Sequence, residues 1–402
     1  MAVRKAIVIL GAGFGGVRCA LTLEKLVRKA RLENIRIVLI DKNRYHTFIP
    51  ALYEVASAAP SVSEDALYHR VNILIKHLVL NKRIEFIKAE IASIETEKHY
   101  VLFADGNGVD FDYLVIALGA QTNFYDIPGL KEHGLELKDF VSAVKIRRSV
   151  KLADEMPKMI LIGGGGTTGV ELSAELTTCF RGICPRIMIV QGDKRLLSKF
   201  PENISELTQK RLHSLGVEVK LDSYIKEVKE NEVMIASGDS LPYERLFWTG
   251  GITGNSLFAS LRFQKEKGFF KVDECLRIIK ENGNPKENIF AIGDASIVYD
   301  LKGQIVPWTA QKAISEGRQI AYNVFRLLTG KEITLCALPK VRFIIPIGGK
   351  WAIAKLNGIT WSGFFGWMLK NFVELRYLLS ILPWYKACGK WLLAVCTFSR
   401  ND

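Results

Sequence analysis

The sequence predicts an α/β chain of two Rossmann-like domains, the second inserted in the first, with a separate C-terminal amphipathic segment. Two glycine loops and one change of composition carry that prediction. Ala6–Leu10 runs into Gly11-Ala12-Gly13-Phe14-Gly15-Gly16, and Met159–Ile162 runs into Gly164-Gly165-Gly166-Thr167-Thr168-Gly169. Each loop fits G-x-G-x-x-G between an apolar strand and a helix, where backbone N–H groups and a helix N-terminus hold a pyrophosphate. One such loop is weak evidence, because glycine turns also serve packing. Two of them in one chain point to two dinucleotides.

The first unit continues with a helix predicted over Val17–Arg31 and a strand over Ile35–Ile40 that ends at Asp41. A carboxylate there accepts both ribose hydroxyls of an adenosine; a turn or cap residue is the alternative. Asn43–Pro60 has no clean period and reads as a functional loop entering a helix. Ile84–Ile94 and Tyr100–Phe103 alternate as strands do, with a turn at Asp105–Gly108. Tyr113–Ala120 is a buried strand ending in small residues. In the second unit the strand Ile187–Val190 ends in Gln191 rather than an acid. Asn288–Asp294 is a further strand with a Gly-Asp tip, and Ala310–Leu328 is helical.

From Val341 to the end there are eight Lys or Arg against two acids, with Trp351, Trp361, Trp367, Trp384 and Trp391. Between Phe364 and Leu382 bulky apolar residues are interrupted by Lys370, Asn371 and Glu374, with Arg376 displaced from the Lys370–Glu374 face, which leaves a narrow polar stripe. A basic, tryptophan-rich apolar helix suits a membrane interface; packing into a homodimer is the alternative. No run of 18 uncharged apolar residues predicts a spanning helix.

The 402 residues allow two or three domains, and 49% hydrophobic against 24% charged residues is ordinary for a globular chain. The formal charge of +13 favours an anionic lipid surface or phosphorylated ligands. No basic tract with interleaved aromatics marks a nucleic-acid partner. Seven scattered cysteines with no C-x-x-C argue against a zinc site or a disulfide framework, and no metal is expected.

With these residues in view, the chain resembles the type II NADH dehydrogenases, single-subunit NADH:quinone oxidoreductases among the flavoproteins with two dinucleotide-binding domains. The matching motifs, besides the two glycine loops, are Asn43…Phe48-x-Pro50-x-Leu52-Tyr53-x-Val55-Ala56, Ala117-Leu118-Gly119, Gly164–Glu171, Trp248-Thr249-Gly250-Gly251, Gly293-Asp294-Ala295 and Ala310-Gln311-x-Ala313-x-x-Glu316-Gly317. The resemblance implies a discontinuous FAD domain over 1–125 and 270–335, an NAD(P)H domain over 126–269 and a membrane-associating region over 336–402. It implies FAD at Gly11, Ala12, Gly13, Phe14, Gly15, Gly16, Asp41, Lys42, Thr47, Ala89, Ala117, Gly119, Gly293, Asp294, Ala310 and Gln311. NADH would lie at Gly164, Gly165, Gly166, Gly169, Glu171, Gln191, Gly250 and Gly251. Glu171, Gln311 and Glu316 are the expected catalytic residues. Glu171 would orient the nicotinamide or relay a proton to quinone, with a first-turn helix charge as the alternative.

Three positions depart from the pattern. Thr167 stands where proline is usual. Gln191 lacks the charge that excludes NADPH, and Lys194 and Arg195 are close by in sequence, so NADPH stays open as a substrate. Glu316 replaces a glutamine assigned to the quinone side, where it would carry protons or alter head-group preference. The implied activity is hydride transfer from NADH to FAD and two-electron reduction of a membrane quinone without proton pumping. The implied place is the cytoplasmic face of the cell membrane, as a peripheral, monotopic protein. A sulfide:quinone oxidoreductase and a non-catalytic flavin-binding interaction protein are the alternatives.

Overall fold

In the computed structural model, residues 4–151, 155–178, 185–337, 342–356 and 358–398 are described. Contacts divide the chain into two units. One comprises Met1–His46, Ile73–Gln121 and Thr253–Pro339, and the other Thr47–Asn72, Thr122–Ile252 and Lys340–Asp402.

The first unit is built on a six-stranded sheet. Its order is Arg277–Ile279, Pro285–Ala291, Tyr113–Ile116, Lys5–Leu10, Ile35–Asp41, Ile84–Lys88. All neighbours are parallel except Arg277–Ile279, which pairs antiparallel with Pro285–Ala291. Val8, Leu10, Val38, Ile40, Leu114 and Ile116 are fully buried, as a doubly covered parallel sheet requires. Leu10 pairs with both Ile40 and Ile116, so the first glycine loop leaves the sheet between two strands that end at the same level. In open α/β sheets the ligand crevice lies at such a switch point. The first helix runs Phe14–Lys29, earlier at both ends than Val17–Arg31. The glycines themselves open it, and it stops before Arg31, which takes a left-handed φ of 54°. The expected strand over Ile84–Ile94 is two strands, Ile84–Lys88 in this sheet and Ile91–Glu95 in a separate antiparallel meander with Tyr100–Phe103 and Gly108–Asp110. The Ala310–Leu328 helix matches its expected span, with Thr309 accepting from the Lys312 N–H as its cap.

The second unit holds a five-stranded parallel sheet, ordered Gly134–Glu136, Arg245–Trp248, Met159–Gly163, Arg186–Val190, Glu218–Lys220. The Leu52–Ser57 helix packs on the Phe140–Lys151 and Thr167–Thr178 helices. The carbonyls of Ala58, Ala59 and Val62, in the segment that follows that short helix, are gathered by the buried Arg147 guanidinium at 2.6 to 3.0 Å. The C-terminal segment forms an antiparallel sheet of Phe343–Pro346, Ala352–Leu356 and Ile359–Trp361 and two helices, Phe364–Leu379 and Trp384–Phe398. No described helix is long and apolar enough to cross a membrane.

The Phe364–Leu379 helix is turned opposite to the usual amphipathic sense. Lys370 and Asn371, in its narrow polar stripe, are buried, while Phe364, Phe365, Met368 and Phe372 are about half or more exposed. Trp384, Tyr385, Leu392 and Leu393 of the last helix are exposed in the same way.

Candidate functional site

The three glycines of each loop are there for different reasons. Gly11 needs its φ of +98°, and a Cβ on it would lie 2.4 Å from the Ala117 carbonyl oxygen. A Cβ on Gly16 would lie 1.9 Å from the Gly11 carbonyl oxygen, which closes the helix onto the strand. Gly13 has neither constraint: its φ is −72°, and a Cβ would meet nothing within 4 Å. Neither backbone strain nor packing inside the protein requires a glycine there. The position leaves room for the close approach of an external group. The second loop repeats the pattern. Gly164 has φ +108°, Gly169 would bring a Cβ 2.0 Å from the Gly164 carbonyl oxygen, and Gly166 faces open space. Gly250 packs under Gly164, and Gly251 takes a φ of +144° beside the Tyr125 hydroxyl.

In the first cradle, Asp41 Oδ2 accepts the Ala12 N–H at 2.7 Å and Oδ1 the Asn43 N–H at 2.7 Å. Burial raises this carboxyl against the pull of those two N–H groups and Lys42. The turn role does not preclude a ribose role, since each oxygen keeps a second lone pair. Ala12 is also tied through its carbonyl to His46 Nδ1, whose ring meets Phe14 edge-on at 5.0 Å. The Ala89 N–H donates to the Asp41 carbonyl, and Gly119 at φ +71° faces open space. Lys42 is exposed, and Thr47 donates to Asn72 Oδ1 at 2.7 Å.

The Gly293-Asp294 tip is clamped from behind. Gly293 donates its N–H to Glu316 Oε2 at 2.7 Å and accepts Lys312 Nζ on its carbonyl at 2.9 Å, and Lys312 and Glu316 pair at 3.0 Å. Glu316 is 3% exposed. Its burial raises its carboxyl, with Lys312 and the Gly293 N–H opposing. Glu316, expected on the quinone side, has both carboxylate oxygens engaged by the Gly293 N–H and Lys312, behind the loop that carries Asp294. Gln311, at the start of the same helix, is exposed, and Ala310 beside it is partly so. Gly317 permits the closest approach of this helix to the first one, since a Cβ there would lie 2.3 Å from the Gly15 carbonyl oxygen.

In the second cradle Gln191 does what Asp41 does in the first. Its Oε1 accepts the Gly165 N–H at 2.7 Å, so the amide is a sufficient anchor for the loop. Its Nε2 donates to Asp193 Oδ2 at 3.0 Å, which also receives Ser198 Oγ at 2.5 Å. Arg195 is folded onto the Phe200 and Ser198 carbonyls at 2.8 and 2.7 Å.

Glu171 is the fifth residue of the Thr167–Thr178 helix, which has no acid in its first turn, so the helix-charge alternative does not apply. It belongs instead to a group of carboxylates that the sequence did not reveal. Lys370 Nζ lies 2.5 Å from Glu54 Oε1 and 3.4 Å from Glu374 Oε1, and 5.8 Å from the centre of the Tyr53 ring. Burial alone would lower the Lys370 ammonium, but Glu374 and Glu54 outweigh it and hold the group charged. One cation cannot neutralise every acid. Desolvation lifts Glu171 to about 8, with Lys370 pulling down and Glu54 pushing up. It lifts Glu374 to about 7 in the same way. A cavity of about 20 Å³ lined by Tyr53, Glu54, Glu175, Lys370 and Glu374 has room for one water molecule. The only sequence signal for the cluster was Lys370 and Glu374 one turn apart inside an apolar helix.

Residues 5–317 match the pyridine nucleotide-disulphide oxidoreductase family. The chain belongs to that family. A demethylphylloquinone reductase of Synechocystis is 30% identical across 97% of this chain and 98% of its own length. A type II NADH:quinone oxidoreductase of Staphylococcus aureus is 29% identical, covering 87% of this chain and 92% of its own. The resemblance to type II NADH dehydrogenases therefore holds among named relatives. In fold, the chain matches NDH2 of Plasmodium falciparum, solved in complex with NADH, with a TM-score of 0.81 at 22% identity over 98% of each chain. The sulfide:quinone oxidoreductase of Aquifex aeolicus matches with 0.80 at 19% identity, over 96% of this chain and 92% of that one. These two show the α/β fold of paired Rossmann-like domains.

Proposed function

We propose that this chain is a FAD-dependent NADH:quinone oxidoreductase working at a membrane surface. The observation that carries the proposal is the pair of open middle glycines, Gly13 and Gly166, each in a loop whose other glycines are fixed by packing. FAD fits the first unit: Gly13 and Gly119 leave room for a close backbone approach, and Asp41 and Asp294 offer carboxylates for a ribose and a polyol. When bound, FAD would supply the hydride-accepting and two-electron-donating chemistry that links NADH to quinone. The second loop, with Gln191, Gly250 and Gly251, holds the NADH pyrophosphate and adenosine. Glu171, protonated up to about pH 8, supplies a proton to the reduced quinone, and the Glu54–Lys370–Glu374 group with its one-water cavity reloads it. Gln311 meets the flavin ring at the helix N-terminus.

The curated relatives favour this reading over the sulfide enzyme, which is matched at 19% identity, the level of fold alone. A sulfide enzyme also needs a redox-active cysteine pair; Cys19 and Cys275 are buried free thiols, Cys336 is a half-buried free thiol, and Cys179 and Cys184 lie outside the described residues. The apolar outer face of the last two helices seats the protein on the bilayer from which quinone is drawn, on the cytoplasmic side. A homodimer packed through that face is the competing use.

Anaerobic mixing of the yellow protein with NADH tests the proposal. NADH bleaches the flavin absorbance in the wild type and not in Gly166→Val, which retains its FAD. Loss of FAD in Gly166→Val would mean that the two cradles have been assigned in the wrong order, and a wild type that NADH leaves unbleached would end the proposal.

A further inference from the structure

We infer that Asp193 selects between the two nicotinamide nucleotides, supplying from two residues further on the negative charge that Gln191 lacks. This rests on the reading that the second cradle takes NADH. By sequence, the strand tip at Gln191 has no carboxylate to repel a 2′-phosphate, and Arg195 is close enough in sequence to attract one. The structure reverses both points.

The Gln191 amide acts as a bridge. Its oxygen accepts the Gly165 N–H at 2.7 Å and its nitrogen donates to Asp193 Oδ2 at 3.0 Å. Bonds at the two ends of one amide place the carboxylate within about 8 Å of the loop backbone. That is inside one screening length at physiological salt. Oδ2 also receives Ser198 Oγ at 2.5 Å, so the carboxylate is held from two sides. Both bonds fall on Oδ2; Oδ1 has no protein donor among the described residues and can accept a ribose hydroxyl. Arg195, the natural partner for a 2′-phosphate, donates instead to the carbonyls of Phe200 and Ser198. Lys194, next in sequence, is exposed and opposes the selection. A fixed carboxylate therefore faces a phosphate with its arginine already engaged, and this combination excludes NADPH.

Calorimetric binding of NAD+ and NADP+ to the oxidised, flavin-loaded enzyme tests the assignment, alongside kcat/KM for NADH and NADPH. The wild type favours the unphosphorylated nucleotide by about tenfold or more in both measurements. In Asp193→Asn, nearly isosteric and still able to accept from Ser198, that ratio shrinks by about tenfold. The shrinkage comes mainly from tighter NADP+ binding, while the KM for NADH rises. Ser198→Ala removes a support but keeps the charge, and retains most of the preference. Flavin content and melting temperature confirm that each variant is folded. A wild type indifferent to the phosphate, an Asp193→Asn ratio equal to wild type, or an equal fall in Ser198→Ala would each overturn the inference. Failure of either nucleotide to bind the flavin-loaded wild type would instead remove the NADH site itself.

Discussion

Glu171 keeps its proton to about pH 8 because it is desolvated near other acids that share a single ammonium. The acid form is present below that pH and lost above it. The rate of quinone reduction should therefore fall as pH rises through about 8, and Glu171→Gln should flatten the profile and lower the rate about a hundredfold. A rate that keeps its pH dependence in the variant would assign the proton to another group. The sign for stability follows from the same shift. A carboxyl raised in the folded state contributes most below the ordinary glutamate range and loses that contribution as pH climbs towards 8. Glu316 behaves differently, since it is locked between Lys312 and Gly293. Glu316→Gln preserves an oxygen for the Gly293 N–H but leaves a buried lysine without its counter-charge. The expected loss is about 3 kcal/mol in chemical denaturation, with weaker FAD retention and an unchanged KM for quinone. A changed quinone KM at unchanged stability would return Glu316 to the quinone side. The glycines, Asp41 and the Gly-Asp tip were legible in sequence because each sits at a fixed offset from a strand end. Glu54 was not, since its partner lies 316 residues away along the chain.

At the scale of elements, strands and helices flanking the glycine loops could be read from periodicity because each buries a single continuous face. The Phe364–Leu379 helix shows the limit of that reading. Hydropathy and spacing gave the helix and its stripe, but a narrow row of charges looks the same whether it faces water or a buried acid. Only Glu54, brought in by the short Leu52–Ser57 helix, decides that the stripe points inward. The outer face is then apolar and needs a cover. Replacing Phe365, Phe372 and Leu393 with serine removes about 1.5–3 kcal/mol of apolar transfer at each site. Co-sedimentation with lipid vesicles should fall by well over tenfold, while NADH still bleaches the flavin in solution. Full retention on vesicles would leave these residues to a protein interface.

For the molecule as a whole, the +13 charge acts together with that apolar face. Binding to vesicles containing anionic lipid should exceed binding to neutral vesicles and weaken as salt shortens the screening length from about 10 Å at 0.1 M to about 3 Å at 1 M. Equal binding to both vesicle types at all salt concentrations would make the basic excess irrelevant to location. Overall charge is readable from sequence alone. The grouping of Thr47–Asn72 with the C-terminal residues is not, because it depends on contacts such as Arg70 to Thr397, 327 positions apart.

The inward-facing lysine has a practical consequence for anyone wanting a water-soluble form of this protein. Trimming the last two helices would strip Glu54 of its ammonium partner and leave the acids around Tyr53 to shed their protons differently. On the proposed function the tether and the proton store are one piece of architecture, so solubility has to come from repainting the outward residues while every inward one is left in place.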